Sequence, residues 1–171
     1  MRRVAVTATA SGSGKTTVGR VLARRLHVPF VEMDSIVHGP GWAEISDDEL
    51  RARMEPILTG EGWVVDGGYQ HKIGTMVLDA ADTVVWLDLP LRVWLPRLVR
   101  RTIARIVRRE VLWNRNRESL RLLFSRESVV WYAVRNHRRR RREWEQEWPA
   151  RYPVVRLRST EEVERWLETS S

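Results

Sequence analysis

The feature that most limits the possible folds is an eight-residue loop that begins at Thr9 and reads Thr-Ala-Ser-Gly-Ser-Gly-Lys-Thr. It lies between a short apolar run and a helical pattern, and it matches the phosphate-loop motif G-x-x-x-x-G-K-[ST] except that Thr9 replaces the first glycine. Gly12 and Gly14 let backbone N–H groups turn inward around a phosphate, and the N-terminus of the next helix adds a positive dipole. Lys15 would reach the β- and γ-phosphates, and the Thr16 hydroxyl would coordinate Mg²⁺.

A glycine-containing turn that only caps a helix is the alternative interpretation of this loop. Lysine followed by threonine at this place, directly after a β-branched run, makes a chance match improbable. The motif therefore predicts a site for a nucleoside triphosphate and Mg²⁺. The loop residues expected to bind the nucleotide are Ser11, Gly12, Ser13, Gly14, Lys15, Thr16 and Thr17.

Strand and helix signals alternate along the chain, which predicts an α/β fold with a parallel sheet covered by helices on both faces. Capping boxes at Ser46 and Ser159 mark the starts of two helices. Trp86 and Trp94 are expected to fill the core. The five strands are predicted at Arg3–Ala8, Phe30–Met33, Trp63–Asp66, Thr83–Leu87 and Val154–Leu157.

The chain has 171 residues, which fits one domain. We expect a single P-loop domain over residues 1–171, with an insertion on the acceptor side at about 35–61 and a lid at about 100–135. Cysteine is absent, so disulfides and cysteine-based metal sites are excluded. No apolar run approaches the roughly 18–20 residues of a membrane helix, and the run at Val4 is too short for a secretory leader. We therefore expect a cytoplasmic protein without membrane contact.

The positive charge is concentrated in one segment. Residues 89–142 hold 17 arginines and 3 acidic residues, within a chain of net charge +8. Such a segment attracts polyanions, which include nucleotide phosphates, nucleic acid and anionic surfaces. The charge alone does not distinguish among these partners.

The residues that follow the strands favour phosphoryl transfer over hydrolysis. The chain has no N/T-K-x-D element for reading guanine. Gly67 follows Asp66 and Leu89 follows Asp88, so neither aspartate precedes a glutamate that could activate water. A small kinase would instead need arginines on a closing lid, which exclude water and neutralise the moving phosphoryl group.

Two arginine-rich helical faces flank residues 110–125. On the first, Arg97 and Arg101 belong to a set of four arginines whose positions lie within about 80° of one another around the helix axis. On the second, Arg135 and Arg139 are one turn apart. Each of these four is a candidate catalytic arginine, although a solvated helix face is the usual role of a single arginine in such a run.

Aspartates and aromatic residues mark the acceptor side. Asp34, Asp66 and Asp88 each follow a predicted strand, and the carboxyl ends of parallel strands meet in one crevice. Asp34 is a candidate base or orienter for an acceptor hydroxyl, or else caps a turn. Asp88 is expected to be structural or to support the phosphate loop from behind. Trp42 could stack on an acceptor ring or pack.

An ordered set of motifs resembles the adenylate-kinase-like family known as DNA topology modulation proteins, over nearly the whole chain. The motifs that carry this resemblance are an arginine-rich lid and the segments Ala10–Thr17, Met33–Ser35, Pro40–Trp42, Trp63–Tyr69 and Ala81–Pro90. The resemblance implies a three-layer P-loop NTPase similar to nucleoside monophosphate kinases, with a five-stranded parallel sheet, a helical arginine-rich lid and Mg-ATP as donor.

The resemblance also assigns residues. Arg97 and Arg101 take the place of lid-base arginines that stack on adenine and contact phosphate, and Asp66 that of a carboxylate that holds Mg²⁺ through water. Adenylate kinases continue with Phe-Pro-Arg, whereas this chain has Gly-Tyr-Gln, so the arginine that grips an acceptor phosphate is missing. In kinases similar to shikimate and gluconate kinases, an aspartate at the place of Asp34 contacts the acceptor hydroxyl. Tyr69 is a further candidate for acceptor binding.

Three functions follow as hypotheses, of which the third, a kinase that acts on RNA or nucleotide ends, would reconcile the features of the other two. The first is an ATP-dependent kinase that moves the γ-phosphoryl group of Mg-ATP to a nucleotide or a small hydroxyl acceptor. The second is a nucleotide-regulated protein that binds nucleic acid through residues 89–142 and affects DNA topology. This segment lacks a recognised nucleic-acid-reading motif, and we favour the kinase.

Overall fold

Five parallel strands form the sheet of the computed structural model, in the order β2-β3-β1-β4-β5. The structure describes residues 1–108, 110–112, 114, 116 and 129–170, with the backbone alone for 129–133. This sheet confirms the expected α/β fold. The strands are β1 (Arg3–Ala8), β2 (Phe30–Glu32), β3 (Trp63–Asp66), β4 (Thr83–Leu87) and β5 (Val154–Leu157).

The helices lie on both faces of the sheet, as the alternating pattern predicts. Ser46 and Ser159 each accept a hydrogen bond from the backbone three residues later, at 3.2 Å, which confirms both capping boxes. A 3-10 turn spans Pro40–Trp42. The helices are α1 (Lys15–Leu26), α2 (Met33–Val37), α3 (Asp47–Leu58), α4 (Gln70–Ile73), α5 (Met76–Ala80), α6 (Leu91–Val107), α7 (Val129–Arg151) and α8 (Thr160–Thr169).

Two apolar cores give the domain its three layers. On one face, Val4 and Val6 of β1 pack with Trp94 and residues of α1, α6 and α8. On the other face, Ala5 packs with Trp86 and residues of α3, α5 and α7. Alternate residues of β1 therefore serve opposite cores, as the two-residue period of a strand requires. Trp86 and Trp94 are both fully buried, which confirms their expected place.

Strand register sets the position of the site. Val6 pairs with Asp66, and Glu32 pairs with Asp66 from the other side. The carboxyl ends of β1, β2 and β3 therefore end together beside the phosphate loop. Within the described ranges, no helix is both long enough and apolar enough to cross a membrane.

Candidate active site

The phosphate loop turns through left-handed glycines. Gly12 has φ 87° and Gly14, at the start of α1, has φ 90°. A methyl group at Gly12 would lie 2.7 Å from the Trp94 carbonyl oxygen, so the loop packs tightly onto α6. Thr9 is not among the residues with positive φ, and therefore needs no glycine in this first position of the motif. Ser13 is buried and donates a 2.9 Å hydrogen bond to the Ala10 carbonyl.

The two candidate metal ligands contact each other. The Thr16 hydroxyl donates a hydrogen bond of 2.5 Å to Asp66 Oδ2. Asp66 Oδ1 is buried and has no hydrogen-bond partner among the described residues. Burial, together with the nearby carboxylates of Asp34 and Glu32, raises the pKa of Asp66 above its ordinary value against the opposing influence of Lys15 and of the Thr16 hydrogen bond. The carboxylate is therefore poised to gain from a cation.

A cavity of about 500 Å³ opens on the α1 and α6 side of the loop. This volume is typical of sites for ligands of nucleotide size. We call it the donor cavity. It is lined by Gly12, Gly14, Lys15, Thr16, Thr17, Arg20, Glu32, Arg97, Arg101, Arg105, Glu110, Val111 and Leu112.

Three arginines of α6 face the donor cavity at four-residue intervals, namely Arg97, Arg101 and Arg105. This spacing places their side chains on one side of the helix. Arg97 also donates a 3.2 Å hydrogen bond to the Thr160 hydroxyl at the start of α8, which anchors its guanidinium. The arrangement brings several positive charges to one wall of the cavity.

A second cavity, of about 230 Å³, lies on the other side of the loop. Lys15 lines this cavity as well as the donor cavity. We call it the acceptor cavity. It is lined by Thr7, Ala8, Ala10, Ser11, Lys15, Asp34, Gly67, Gly68, Tyr69, Gln70, His71, Arg140 and Trp144.

Asp34 and Tyr69 meet at the wall of the acceptor cavity. The Tyr69 hydroxyl donates a 2.6 Å hydrogen bond to Asp34 Oδ1. His38 Nε2 lies 3.1 Å from the same hydroxyl oxygen. Burial, followed by the negative charge of Asp34, raises the pKa of Tyr69 well above its ordinary value, so the phenol stays protonated. A carboxylate and a hydroxyl donor thus share one polar wall.

Trp42 lies behind this wall and lines neither cavity. Its ring stands edge-on to His38, with ring centroids 5.5 Å apart. Its backbone N–H donates to Asn116 Oδ1 at 3.0 Å, and Asn116 donates back to the Gly39 carbonyl at 2.8 Å. Asn114 donates to the His38 carbonyl. The residues after α6 therefore contact the insertion, and stacking of Trp42 on an acceptor stays a prediction.

On α7, the arginine that lines a cavity is not one of the two that helical spacing predicts. Arg135 and Arg139 are exposed and line neither cavity. Arg139 bonds Asn136 and lies 3.8 Å from Glu143. Arg140, the next residue, lines the acceptor cavity. The part of the expected lid at 117–128 lies outside the described residues.

Asp88 does not join the other two aspartates. Its side chain is fully buried, and Oδ2 accepts two hydrogen bonds from Arg156, at 2.7 and 2.9 Å. Arg141 Nε lies 3.1 Å from the same oxygen. The structural role expected for Asp88 fits these contacts, which tie β4 to β5 and α7.

Sequence reasoning missed several residues of the two walls. Arg20 lines the donor cavity and lies 3.2 Å from Glu32; its position one turn after Thr16 on α1 was the available signal. Arg140 and Trp144 are also one turn apart, and the shared face of α7 could have indicated them. Their contact with the acceptor cavity depends on how α7 packs, which no local pattern specifies.

Comparison with known proteins finds partial matches to shikimate kinases. The shikimate kinase family model matches residues 11–47, from the phosphate loop to the start of α3. The shikimate kinase of Sulfurihydrogenibium sp. (strain YO3AOP1) is 36% identical over 94 residues, which are 47% of this chain and 57% of that enzyme. The Vibrio parahaemolyticus enzyme is 33% identical over 91 residues, which are 45% and 53%. The chain thus spans about half the length of the curated relatives it matches.

Solved structures share the fold over the whole chain. Shikimate kinase from Bacteroides thetaiotaomicron matches with a TM-score of 0.60 and 16% identity, over 98% of this chain and 94% of that one. Shikimate kinase from Acinetobacter baumannii, in complex with shikimate, matches with a TM-score of 0.60 and 20% identity, over 98% of this chain and 89% of that one. A gluconokinase from Sinorhizobium meliloti 1021 matches with a TM-score of 0.55 and 18% identity, over 98% of this chain and 94% of that one. These matches show that the chain shares the three-layer α/β fold of those proteins.

Proposed function

We propose that the protein is an ATP-dependent phosphotransferase that moves the γ-phosphoryl group of ATP to a hydroxyl group of a small acceptor. The observation that carries this proposal is that Lys15 lines both the donor cavity and the acceptor cavity. A phosphoryl group in transfer has to pass between two such sites, and a cation at their boundary stabilises its charge. The partial similarity to shikimate kinases makes shikimate the first acceptor to test.

The donor cavity would hold the nucleotide with its phosphates on the loop and the start of α1. Arg97, Arg101 and Arg105 would supply positive charge along the opposite wall. One arginine directed at the transferring group contributes on the order of 10³–10⁵ in rate. Arg97 is already held by Thr160, so less side-chain entropy is lost when the nucleotide binds.

Thr16 and Asp66 would hold Mg²⁺ together with the nucleotide phosphates. Their fit rests on the hydroxyl–carboxylate contact, on the buried Asp66 Oδ1 without a described partner, and on the hard oxygen donors that Mg²⁺ prefers. When bound, Mg²⁺ would neutralise charge on the phosphate oxygens. Among the described residues, no group of three or more acidic, histidine or cysteine side chains forms another metal site.

Asp34 would receive the acceptor hydroxyl. As the acceptor oxygen bonds to the γ-phosphorus, the bond to the β–γ bridging oxygen breaks, ADP leaves, and the hydroxyl proton passes to the Asp34 carboxylate. The acceptor cavity has less than half the volume of the donor cavity. It therefore suits a small molecule better than a second nucleotide. Arg140 and Lys15 in its walls favour an acceptor that carries negative charge.

The nucleic-acid alternative receives less support from the arginine-rich segment. Arg141 lies 3.1 Å from Asp88, and Arg105 lies 3.9 Å from Glu110. These contacts, and the arginines that line the two cavities, use part of the positive charge of this segment within the fold. A place in the DNA topology modulation family and a cytoplasmic location both stay predictions.

The test is ADP formation from Mg-ATP with shikimate, gluconate and a panel of small hydroxyl compounds. We expect one acceptor to stimulate ADP formation well above the rate in water. Lys15→Ala should lower that stimulated rate by about 10²–10³-fold, since a preorganised charge at the transferring group is lost. Asp34→Asn should lower it by about 10²–10⁴-fold through loss of the base.

Arg25→Ala is the matched control, because Arg25 is an exposed cation of the same helix as Lys15. It should leave the rate unchanged. Folded, ATP-binding protein that no acceptor stimulates would contradict the proposal. Equal losses for Lys15→Ala and Arg25→Ala would contradict the role of Lys15.

A further inference from the structure

We propose that Tyr69 is a positioning residue for phosphoryl transfer, which holds the Asp34 carboxylate so that Oδ2 faces the acceptor hydroxyl. The inference rests on the proposed kinase function and extends it to a residue outside the phosphate loop. Both side chains line the acceptor cavity. Tyr69 would act through Asp34 and would not itself exchange a proton with the acceptor.

The hydrogen bond fixes which carboxylate oxygen is free. Oδ1 accepts the Tyr69 hydroxyl at 2.6 Å, which leaves Oδ2 as the carboxylate oxygen that Tyr69 does not occupy. A hydrogen bond to an ionised carboxylate is stronger than a neutral one and restricts rotation of the carboxyl group. Asp34 therefore presents one particular oxygen to the cavity.

Tyr69 can serve only as a donor to Asp34. Burial and the carboxylates of Asp34, Glu44 and Asp66 all raise the pKa of the phenol, so its proton is retained. Its oxygen still accepts a hydrogen bond, and His38 Nε2 lies within reach at 3.1 Å. The phenol is thus held between two partners and keeps a fixed orientation.

The backbone also holds Tyr69 in place. Its φ of 42° and ψ of 34° are left-handed values, which are uncommon for a bulky side chain. They occur at the start of α4, where the chain turns after Gly67. Lys72 of the same short helix bonds the Ile45 carbonyl at 3.1 Å and Asp47 at 3.0 Å. A left-handed tyrosine that persists between such contacts is typical of a functional constraint.

The test uses Tyr69→Phe, which removes the donor and keeps the ring. The assay is ADP formation from Mg-ATP with shikimate, or with gluconate if shikimate is not turned over. We expect kcat to fall by about 10–100-fold, a loss typical of residues that orient a reacting group. The KM for ATP and the Mg-ATP dissociation constant should stay unchanged, because the donor cavity does not include Tyr69.

A double-mutant comparison separates positioning from a structural effect. If Tyr69 acts through Asp34, Tyr69→Phe in an Asp34→Asn background should cause little further loss. Tyr152→Phe is the control, because Tyr152 is a buried tyrosine that lines neither cavity. It should leave kcat unchanged. Thermal unfolding of each variant reports whether the fold is intact.

The outcomes distinguish the two proposals. Wild-type turnover with an undiminished kcat in Tyr69→Phe would overturn the positioning role and leave the kinase proposal intact. Losses that multiply in the double variant would overturn it in the same way, as would a matching loss in Tyr152→Phe. If the wild-type protein turns over no acceptor, the proposed function fails and the role of Tyr69 fails with it.

Discussion

Two buried aspartates at the carboxyl ends of β3 and β4 should respond in opposite ways to the same substitution. Asp88 is fully buried, and its Oδ2 accepts two hydrogen bonds from Arg156, from Nε at 2.9 Å and from Nη2 at 2.7 Å, and lies 3.1 Å from Arg141 Nε in an ion pair. Asp66 is buried with a hydroxyl partner for Oδ2 and, in the described ranges, none for Oδ1. Asparagine keeps the size of each side chain and removes its charge.

Asp88→Asn should destabilise the fold. Removal of one partner from a buried ion pair costs roughly 3–5 kcal/mol. An asparagine oxygen still accepts a hydrogen bond, so we expect about 3 kcal/mol. In a domain of this size, such a loss lowers Tm by about 6–12 °C.

At neutral pH and without ligands, the Asp66→Asn variant should be at least as stable as the wild-type protein. Its folded-state pKa is raised above the ordinary 3.8 by burial. The stability contributed by this group is therefore present below the unfolded pKa and is lost as pH rises through the folded pKa. Above that pKa the buried charge is a cost, and the asparagine removes it. The gain should shrink as pH falls toward 3.8.

Thermal unfolding followed by tryptophan fluorescence, without nucleotide or Mg²⁺, measures both effects. Addition of Mg²⁺ and ATP should then raise the Tm of the wild type and of Asp88→Asn. The rise in Tm of Asp66→Asn should be much smaller. An Asp66→Asn variant that loses as much stability as Asp88→Asn would refute this reasoning. So would an Asp66→Asn variant with a normal Mg²⁺-dependent rise in Tm.

Three further substitutions test the loop and the contacts around it. Gly12→Ala should lower Tm and abolish Mg-ATP binding, because the new methyl group meets the Trp94 carbonyl at 2.7 Å and φ is 87°; calorimetry measures the binding. Arg97→Ala should weaken ATP binding by about tenfold, as expected for one charge-assisted contact, with little change in Tm. Asn116→Ala removes two hydrogen bonds between the segment after α6 and the insertion. The affinity for the acceptor should therefore depend less on bound nucleotide in this variant. Titration of the acceptor with and without a non-hydrolysable ATP analogue measures this dependence.

Much of the fold follows from local sequence signals. The predicted bounds of the five strands lie within one residue of the observed ends, because each strand is a short apolar run, and Asp34, Gly67 and Asp88 mark the ends of three of them. Both capping boxes form the expected hydrogen bond. The short helix Met33–Val37 was missed, since five residues are too few to show a helical period.

The candidate site was less accessible to prediction. The loop residues and the Thr16–Asp66 pair follow from a motif whose geometry is local or set by neighbouring strands. Arg140 lies in the acceptor cavity although Arg139 was selected, because a one-residue step on a helix rotates the side chain by about 100°. Contacts of Asn116 with the insertion join residues more than 70 positions apart. No pattern within either segment indicates such a contact.

The most direct test of the account follows the terminal phosphate of labelled ATP. The protein is incubated with γ-labelled ATP, Mg²⁺ and shikimate or the acceptor found in the panel, and the products are separated. If Lys15 lies at the boundary between a donor and an acceptor site, the label should be recovered on the acceptor, and Lys15→Ala should lower the rate of that recovery by about 10²–10³-fold. Label found only in inorganic phosphate, at a rate that no acceptor changes, would contradict the account.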